Sequence, residues 1–255
     1  MPTPDGADEP PEDTAPARPA YYAARPGGWR DWWTLLHPPY TAWHLSYAVI
    51  GASLAPQVKV SYLIATVLAF FFAVGLAAHA LDELRGRPLR TAIPSAVLVA
   101  VVVAGLLGAL VLGVFGVIRV GWTLIPYMVA GPVLVIAYNA ELFGGLMHTD
   151  FGFAIAWGAF PVLTAYVAQT GTLALAPILA AAGAFALSAA QRRLSTPARN
   201  IRRRAQHVEG SITFGDGRTV PITAGALLEP LERTLRATSW AIILLAAALA
   251  VARLT

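Results

Sequence analysis

VSYLIATVLAFFFAVGLAAHALDE, residues 60–83, decides the fold class. It stays apolar long enough to cross a bilayer, which takes about 20 residues. It then ends in His79, Asp82 and Glu83. Six further apolar stretches lie at about 40–56, 94–118, 121–139, 151–170, 172–190 and 237–254. Together they predict an all-α fold, a polytopic transmembrane helical bundle of about seven spans. The composition agrees. The chain has 255 residues, 57% hydrophobic and 13% charged, with mean hydropathy +0.62. A soluble domain is nearer a quarter charged, so an ordinary soluble enzyme, a disordered protein and a disulfide scaffold are excluded. The absence of cysteine removes thiolate metal sites, Fe–S clusters and a cysteine nucleophile.

Outside the spans the chain changes character. Residues 1–28 hold seven Pro and five acids and almost no large aliphatic side chain, which predicts a disordered acidic tail. Residues 29–255 form the membrane domain. WRDWWTLL (29–36) predicts a short interfacial helix anchored by Trp29, Trp32 and Trp33. The segment 191–225 predicts a basic loop, QRRLSTPARNIRRR (191–204), followed by a small β-hairpin around Gly215-Asp216-Gly217. Glycines 105, 108, 113 and 116 in the 94–118 stretch suit close helix packing. With the N-terminus in the cytoplasm, fifteen arginines fall on the cytoplasmic side. Only Lys59, Arg119 and Arg253 fall opposite. This positive-inside bias places the C-terminus outside and makes the hairpin cytoplasmic. The expected location is integral to the plasma membrane of a bacterium or archaeon.

Ionisable groups at the membrane are functional candidates by default. His79, Asp82 and Glu83 end the second span, followed by Arg85, Arg87 and Arg90. Tyr138, Asn139 and Glu141 end the fourth, His148 and Asp150 precede the fifth, and Arg192 and Arg193 end the sixth. The predicted topology puts all of them at one membrane face, around one cavity mouth. His44, inside the first span, reads as a hydrogen-bonded packing residue. Two chemistries suit these residue types. Carboxylates can hold Mg²⁺ bridging to a diphosphate while arginines clamp phosphate oxygens, which suits an isoprenoid diphosphate. Alternatively, His79, Glu83, Glu141 and His148 offer a Zn or Fe ligand set.

Four stretches carry a resemblance: LLHPPYTAWHLSYAVIGASLA (35–55), AAHALDELRGRPLRTAIPS (77–95), VIAYNAELFGG (135–145) and GFAIAWGAFPVLTAYVAQTG (152–171). In order and spacing they resemble the UbiA-type intramembrane prenyltransferase superfamily over about residues 35–190. The resemblance implies a UbiA-like helical bundle around a lipid-open cavity. It implies transfer of a prenyl group from a diphosphate to a lipophilic acceptor, with Mg²⁺ held by Asp-rich motifs. Carried onto this chain, Asp82 and Glu83 would hold Mg²⁺. Arg87, Arg192 and Arg193 would hold the diphosphate, and Tyr138 would face the allylic cation or the acceptor. His79, Arg90 and Asn139 would complete the substrate site. The chain departs from the family's motifs. The first normally reads Asn-Asp-x-x-Asp-x-x-x-Asp. Here Ala78, His79 and Gly86 replace three of the four positions and only Asp82 remains. SAAQRRLSTPARN (188–200) stands in place of the second. The alternative reading is therefore a non-catalytic membrane protein binding an isoprenoid, a quinone or a lipid phosphate. The expected partners are an isoprenoid diphosphate or other lipid and the bilayer, not a nucleic acid.

Overall fold

A computed structural model describes residues 18–255. The first 17 residues of the predicted tail lie outside the described residues. Eight helices of two turns or more follow: α1 (Trp29–Leu36), α2 (Pro38–Ser53), α3 (Val60–Leu84), α4 (Ser95–Val120), α5 (Trp122–Asn139), α6 (Asp150–Thr170), α7 (Leu175–Arg204) and α8 (Ala224–Leu254), with a single helical turn, Leu142–Gly145, between α5 and α6. A two-stranded antiparallel hairpin, β1 (Ser211–Thr213) and β2 (Thr219–Pro221), separates α7 from α8. Local chemistry sets the boundaries. His37 takes a left-handed conformation, φ 47°, and Pro38-Pro39 then starts α2, where proline's fixed φ suits a first turn. Thr149 and Thr223 cap α6 and α8 by accepting from the N–H groups of Gly152 and Ala226. Gly171, at φ 71°, ends α6.

Helices α3 to α8 are long and apolar enough to span a membrane. The first predicted span is shorter: α2 has 16 residues, about 24 Å at 1.5 Å per residue. It runs through the bundle interior, packed on α6 and α8. Its inward residues Trp43, Tyr47, Ala48 and Ala52 are fully buried. Contact with α6 is at backbone distance. A Cβ on Gly51 would fall 2.2 Å from the Val162 carbonyl oxygen. Gly51→Ala is therefore expected to lower the thermal midpoint in detergent sharply, since the backbones must separate. Gly183→Ala, where a Cβ meets nothing within 4 Å, is expected to leave it unchanged. In contrast to α2, α4 turns Val99, Val103, Leu107, Val111 and Phe115 outward, as a lipid-facing helix does.

Both ends of the bundle are tied. At one face Gln169 accepts from the Lys59 N–H at 2.8 Å, and Arg253 donates to the Ser53 carbonyl. At the other, the structure differs from the predicted basic loop. The segment 191–204 is helical, and α7 runs unbroken through Pro197 to Arg204. The helix is about 45 Å long, so its last turns project beyond the hydrocarbon layer. There Arg202 grips Glu232 of α8 through two hydrogen bonds. The hairpin beyond α7 pairs Ile212 with Val220 and is exposed along both strands.

Residues 18–28 also differ from a tail. Ala20 and Ala23 are buried. The Ala24 N–H donates to the Thr34 hydroxyl, and the Gly27 N–H to Asp31. Trp33 donates to the Tyr22 carbonyl and Arg203 to the Pro19 carbonyl. The aromatic pair Tyr21-Tyr22, inside the proline-rich composition, supplies the apolar surface that ties this segment down.

Candidate functional site

Helices α2, α3, α5, α6 and α7 all present their polar ends at the arginine-rich face, and a cavity of about 260 Å³ lies between them. In two places its wall is built on widened turns with i→i+5 hydrogen bonding, Phe71–Ala78 in α3 and Ala154–Ala159 in α6. Such turns recur at functional sites. They bring Val74, Ala78 and Trp157 to the cavity. Its deep end is aromatic: Tyr138 meets Trp157 edge-on at 5.7 Å, and Phe153 packs on both Tyr138 and His44. Tyr22, from the folded-back N-terminal segment, and Tyr40 of α2 line it near the mouth. They pack edge to face at 5.5 Å, and burial raises the Tyr22 hydroxyl pKa above its ordinary value.

Helix α7 supplies the charge. Arg192, Ser195, Arg199 and Arg203 follow one another at spacings of three and four, so they share a face, and all line the cavity. Arg192 donates to Asp150 at 3.0 Å and covers the Phe153 ring. Arg85 joins them, tied to Glu141 at 3.1 Å. Against these cations, Asp82 has no hydrogen-bond or ion-pair partner among the described residues. Three buried polar atoms facing the cavity likewise have none: the Tyr138 hydroxyl, the Gln191 amide oxygen and His37 Nε2. Burial, reinforced by His79, Arg203 and Arg199, lowers the His37 pKa well below its ordinary value, so the ring is neutral. Three neutral polar atoms and four arginines around an aromatic chamber suit an anion attached to an apolar body.

Asp82, Tyr138, His79, Asn139 and Arg192 of the sequence-predicted site are brought together at this cavity. Asn139 is buried, donating to the Val135 carbonyl. Four others are not at the cavity. Glu83 is fully buried on the far side of α3, where its carboxylate accepts from the Leu89 and Thr91 N–H groups and the Thr91 hydroxyl, each at 2.9 Å. Arg87 is pinned to the Ile93 carbonyl and the Ser95 hydroxyl. Arg90 is exposed on the same loop, and Arg193 points away on the outer face of α7. The set His79, Glu83, Glu141 and His148 is not assembled either, because Glu83 faces the loop and Glu141 is held by Arg85. Sequence reasoning missed Arg199 and Arg203, whose helical spacing with Arg192 was the available signal. His37 and Tyr22 carried no comparable signal.

Mg²⁺ asks for several oxygen ligands. The cavity offers the Asp82 carboxylate alone, since the oxygens of Glu83, Glu141 and Asp150 serve the partners just named. Among the described residues no group of three or more His, Asp or Glu stands ready to hold a metal ion. The residues present therefore do not fit the Mg²⁺–diphosphate site that the resemblance implies.

No family model and no curated protein matches the chain. A solved structure is similar to it: a UbiA homolog from Archaeoglobus fulgidus bound to Cd²⁺, with TM-score 0.52 and 15% identity. The match covers 88% of this chain and 85% of that one. The chain is thus an integral membrane protein with a UbiA-like fold.

Proposed function

We propose that this protein binds a lipid by its phosphate or diphosphate head. In this reading Arg192, Arg199 and Arg203 hold the head without Mg²⁺, and the chamber of Tyr138, Phe153 and Trp157 takes the first carbons of an isoprenoid tail. The observation that carries the reading is the row of three arginines on one face of α7, aimed into a cavity whose single unpaired carboxylate is Asp82. The arginine bias along the chain supports placing this cavity at the cytoplasmic face of a plasma membrane, with the N-terminus inside and the C-terminus outside.

Prenyl transfer from the same lipid is the second reading, favoured by the aromatic wall. Tyr138 and Trp157 line the space where an allylic cation would form, and aromatic rings attract a cation, with Asp82 on the same cavity to receive a proton from the acceptor. Glu83 has no part in it.

Thermal unfolding in detergent tests the binding. A ligand at a hundred times its dissociation constant stabilises by about 2.7 kcal/mol. With EDTA present, geranylgeranyl phosphate and diphosphate are expected to raise the midpoint and geranylgeraniol is not. No shift with either phosphorylated lipid, or an equal shift with the alcohol, overturns the proposal. Release of inorganic diphosphate that requires Asp82 would add the transfer step.

A further inference from the structure

A second cavity, of about 180 Å³, lies toward the opposite face of the bundle, between α3, α4, α5 and α6. It shares no lining residue with the arginine-lined cavity. Phe70 and Phe160, edge to face at 6.1 Å, form part of its wall, with Leu124, Tyr127 and Met128 of α5. The hydroxyls of Thr66 and Thr164, which also line it, donate back to the Tyr62 and Phe160 carbonyls of their own helices. They offer little to water, and an apolar cavity of this kind stays dry. It opens sideways. Leu110 and Phe115 of α4 line it and are exposed on the lipid-facing side of that helix, so an occupant enters from the bilayer.

Charge marks one end of this cavity. Arg119, in the last turn of α4, lines it. Lys59 lies over the ring of Tyr62, another lining residue, with Nζ 4.8 Å from the ring centroid. Both cations are exposed, and neither has a carboxylate in ion-pair reach among the described residues. Every acid among those residues sits at the other end of the bundle. The third cation on this side, Arg253, donates to the Ser53 carbonyl. Two unpaired cations beside one dry, bilayer-open cavity suit an anion that carries a hydrocarbon chain.

We propose that this cavity binds an anionic phospholipid of the leaflet on the Lys59–Arg119 side. The two cations hold its phosphate, and one acyl chain passes between α4 and α5 into the cavity. Arginine offers phosphate a bidentate fork and lysine adds a point charge. A zwitterionic phospholipid brings its own ammonium and gains less from the pair.

The test is native mass spectrometry of the delipidated full chain in detergent, titrated with palmitoyl-oleoyl phosphatidylglycerol or phosphatidylcholine. The chain carries Arg199→Ala/Arg203→Ala, so the result does not depend on the lipid-head site on α7. One phosphatidylglycerol per chain is expected, held at least about tenfold more tightly than phosphatidylcholine. Adding Lys59→Gln/Arg119→Gln, on two exposed side chains, is expected to abolish that preference. Gly131→Leu is expected to weaken both lipids. A Cβ there meets only the Phe160 ring, at 3.8 Å, so the larger side chain has room to fill the cavity. Should Gly131→Leu fail to fold, the charge variant decides alone. Equal affinity for the two phospholipids, a preference that survives Lys59→Gln/Arg119→Gln, or affinity unchanged in a folded Gly131→Leu overturns the assignment. So does displacement of the Arg119-dependent lipid from the wild-type chain by geranylgeranyl diphosphate, which would make this cavity the far end of the isoprenoid site.

Discussion

Glu83→Ala is expected to destabilise the folded protein by several kcal/mol, the largest effect of any single substitution around the cavity. Glu83 is fully buried and closes the loop after α3 by accepting from Leu89 N–H, Thr91 N–H and the Thr91 hydroxyl. Alanine leaves both backbone N–H groups without an acceptor, at about 1–3 kcal/mol each. Glu83→Gln keeps one acceptor oxygen and is expected to lose about half as much. Thermal unfolding in detergent reads the effect directly. Asp82→Asn, one residue earlier, is the contrast: its carboxylate makes no hydrogen bond, and the midpoint is expected to stay put. Were Glu83 a metal ligand beside Asp82, Glu83→Ala would leave the fold intact, and that outcome would contradict the account.

Arg199→Ala is expected to weaken binding of geranylgeranyl diphosphate by roughly tenfold to a hundredfold. A hydrogen bond to a charged group contributes about 1.5–3 kcal/mol, and about 1.4 kcal/mol is a factor of ten. Arg199 is the least committed of the three arginines on that face. Arg192 already holds Asp150 and Arg203 holds the Pro19 carbonyl, whereas Arg199 makes only a long contact, 3.3 Å, to the Thr196 hydroxyl one turn back on its own helix. The informative control is Arg193→Ala. Arg193 neighbours Arg192 in sequence but is exposed on the opposite side of α7, so its removal is expected to change affinity by less than about twofold, the ordinary effect of a distant surface charge. Equal losses for Arg193→Ala and Arg199→Ala would mean that the lipid is drawn by net charge and not by this cavity.

The spans and the shared face of the polar residues were legible because hydropathy marks membrane segments and span counting fixes which ends meet. That reasoning brought His79, Asp82, Tyr138, Asn139 and Arg192 to one place. It failed on neighbours. Adjacent helical residues point about 100° apart, so of Asp82 and Glu83 one faces the cavity and the other the loop, and the same holds for Arg192 and Arg193. Polarity and charge are identical within each pair, and helical phase separates them. Arg199 and Arg203 were hidden for a different reason. A polar, proline-containing run reads as a loop, yet Pro197 is carried inside α7, whose extension is held by the Arg202–Glu232 pair. Tyr22 was hidden by composition. Its proline-rich surroundings cannot form a core of their own, but they can lie on one already made. His37 carried no signal of its own, because its place depends on the left-handed turn that stacks it on His79.

The central claim is that the arginine-lined cavity holds the phosphorylated head of a lipid. Saturation binding of radiolabelled geranylgeranyl diphosphate to the purified chain in EDTA, beside the Arg199→Ala/Arg203→Ala double variant, tests it most directly. The account predicts one saturable site per wild-type chain, displaced by geranylgeranyl phosphate but not by geranylgeraniol. It predicts affinity lowered by at least about a hundredfold in the double variant, two charged contacts being lost. Equal affinity in the two proteins, or no saturable binding to the wild type, would contradict it.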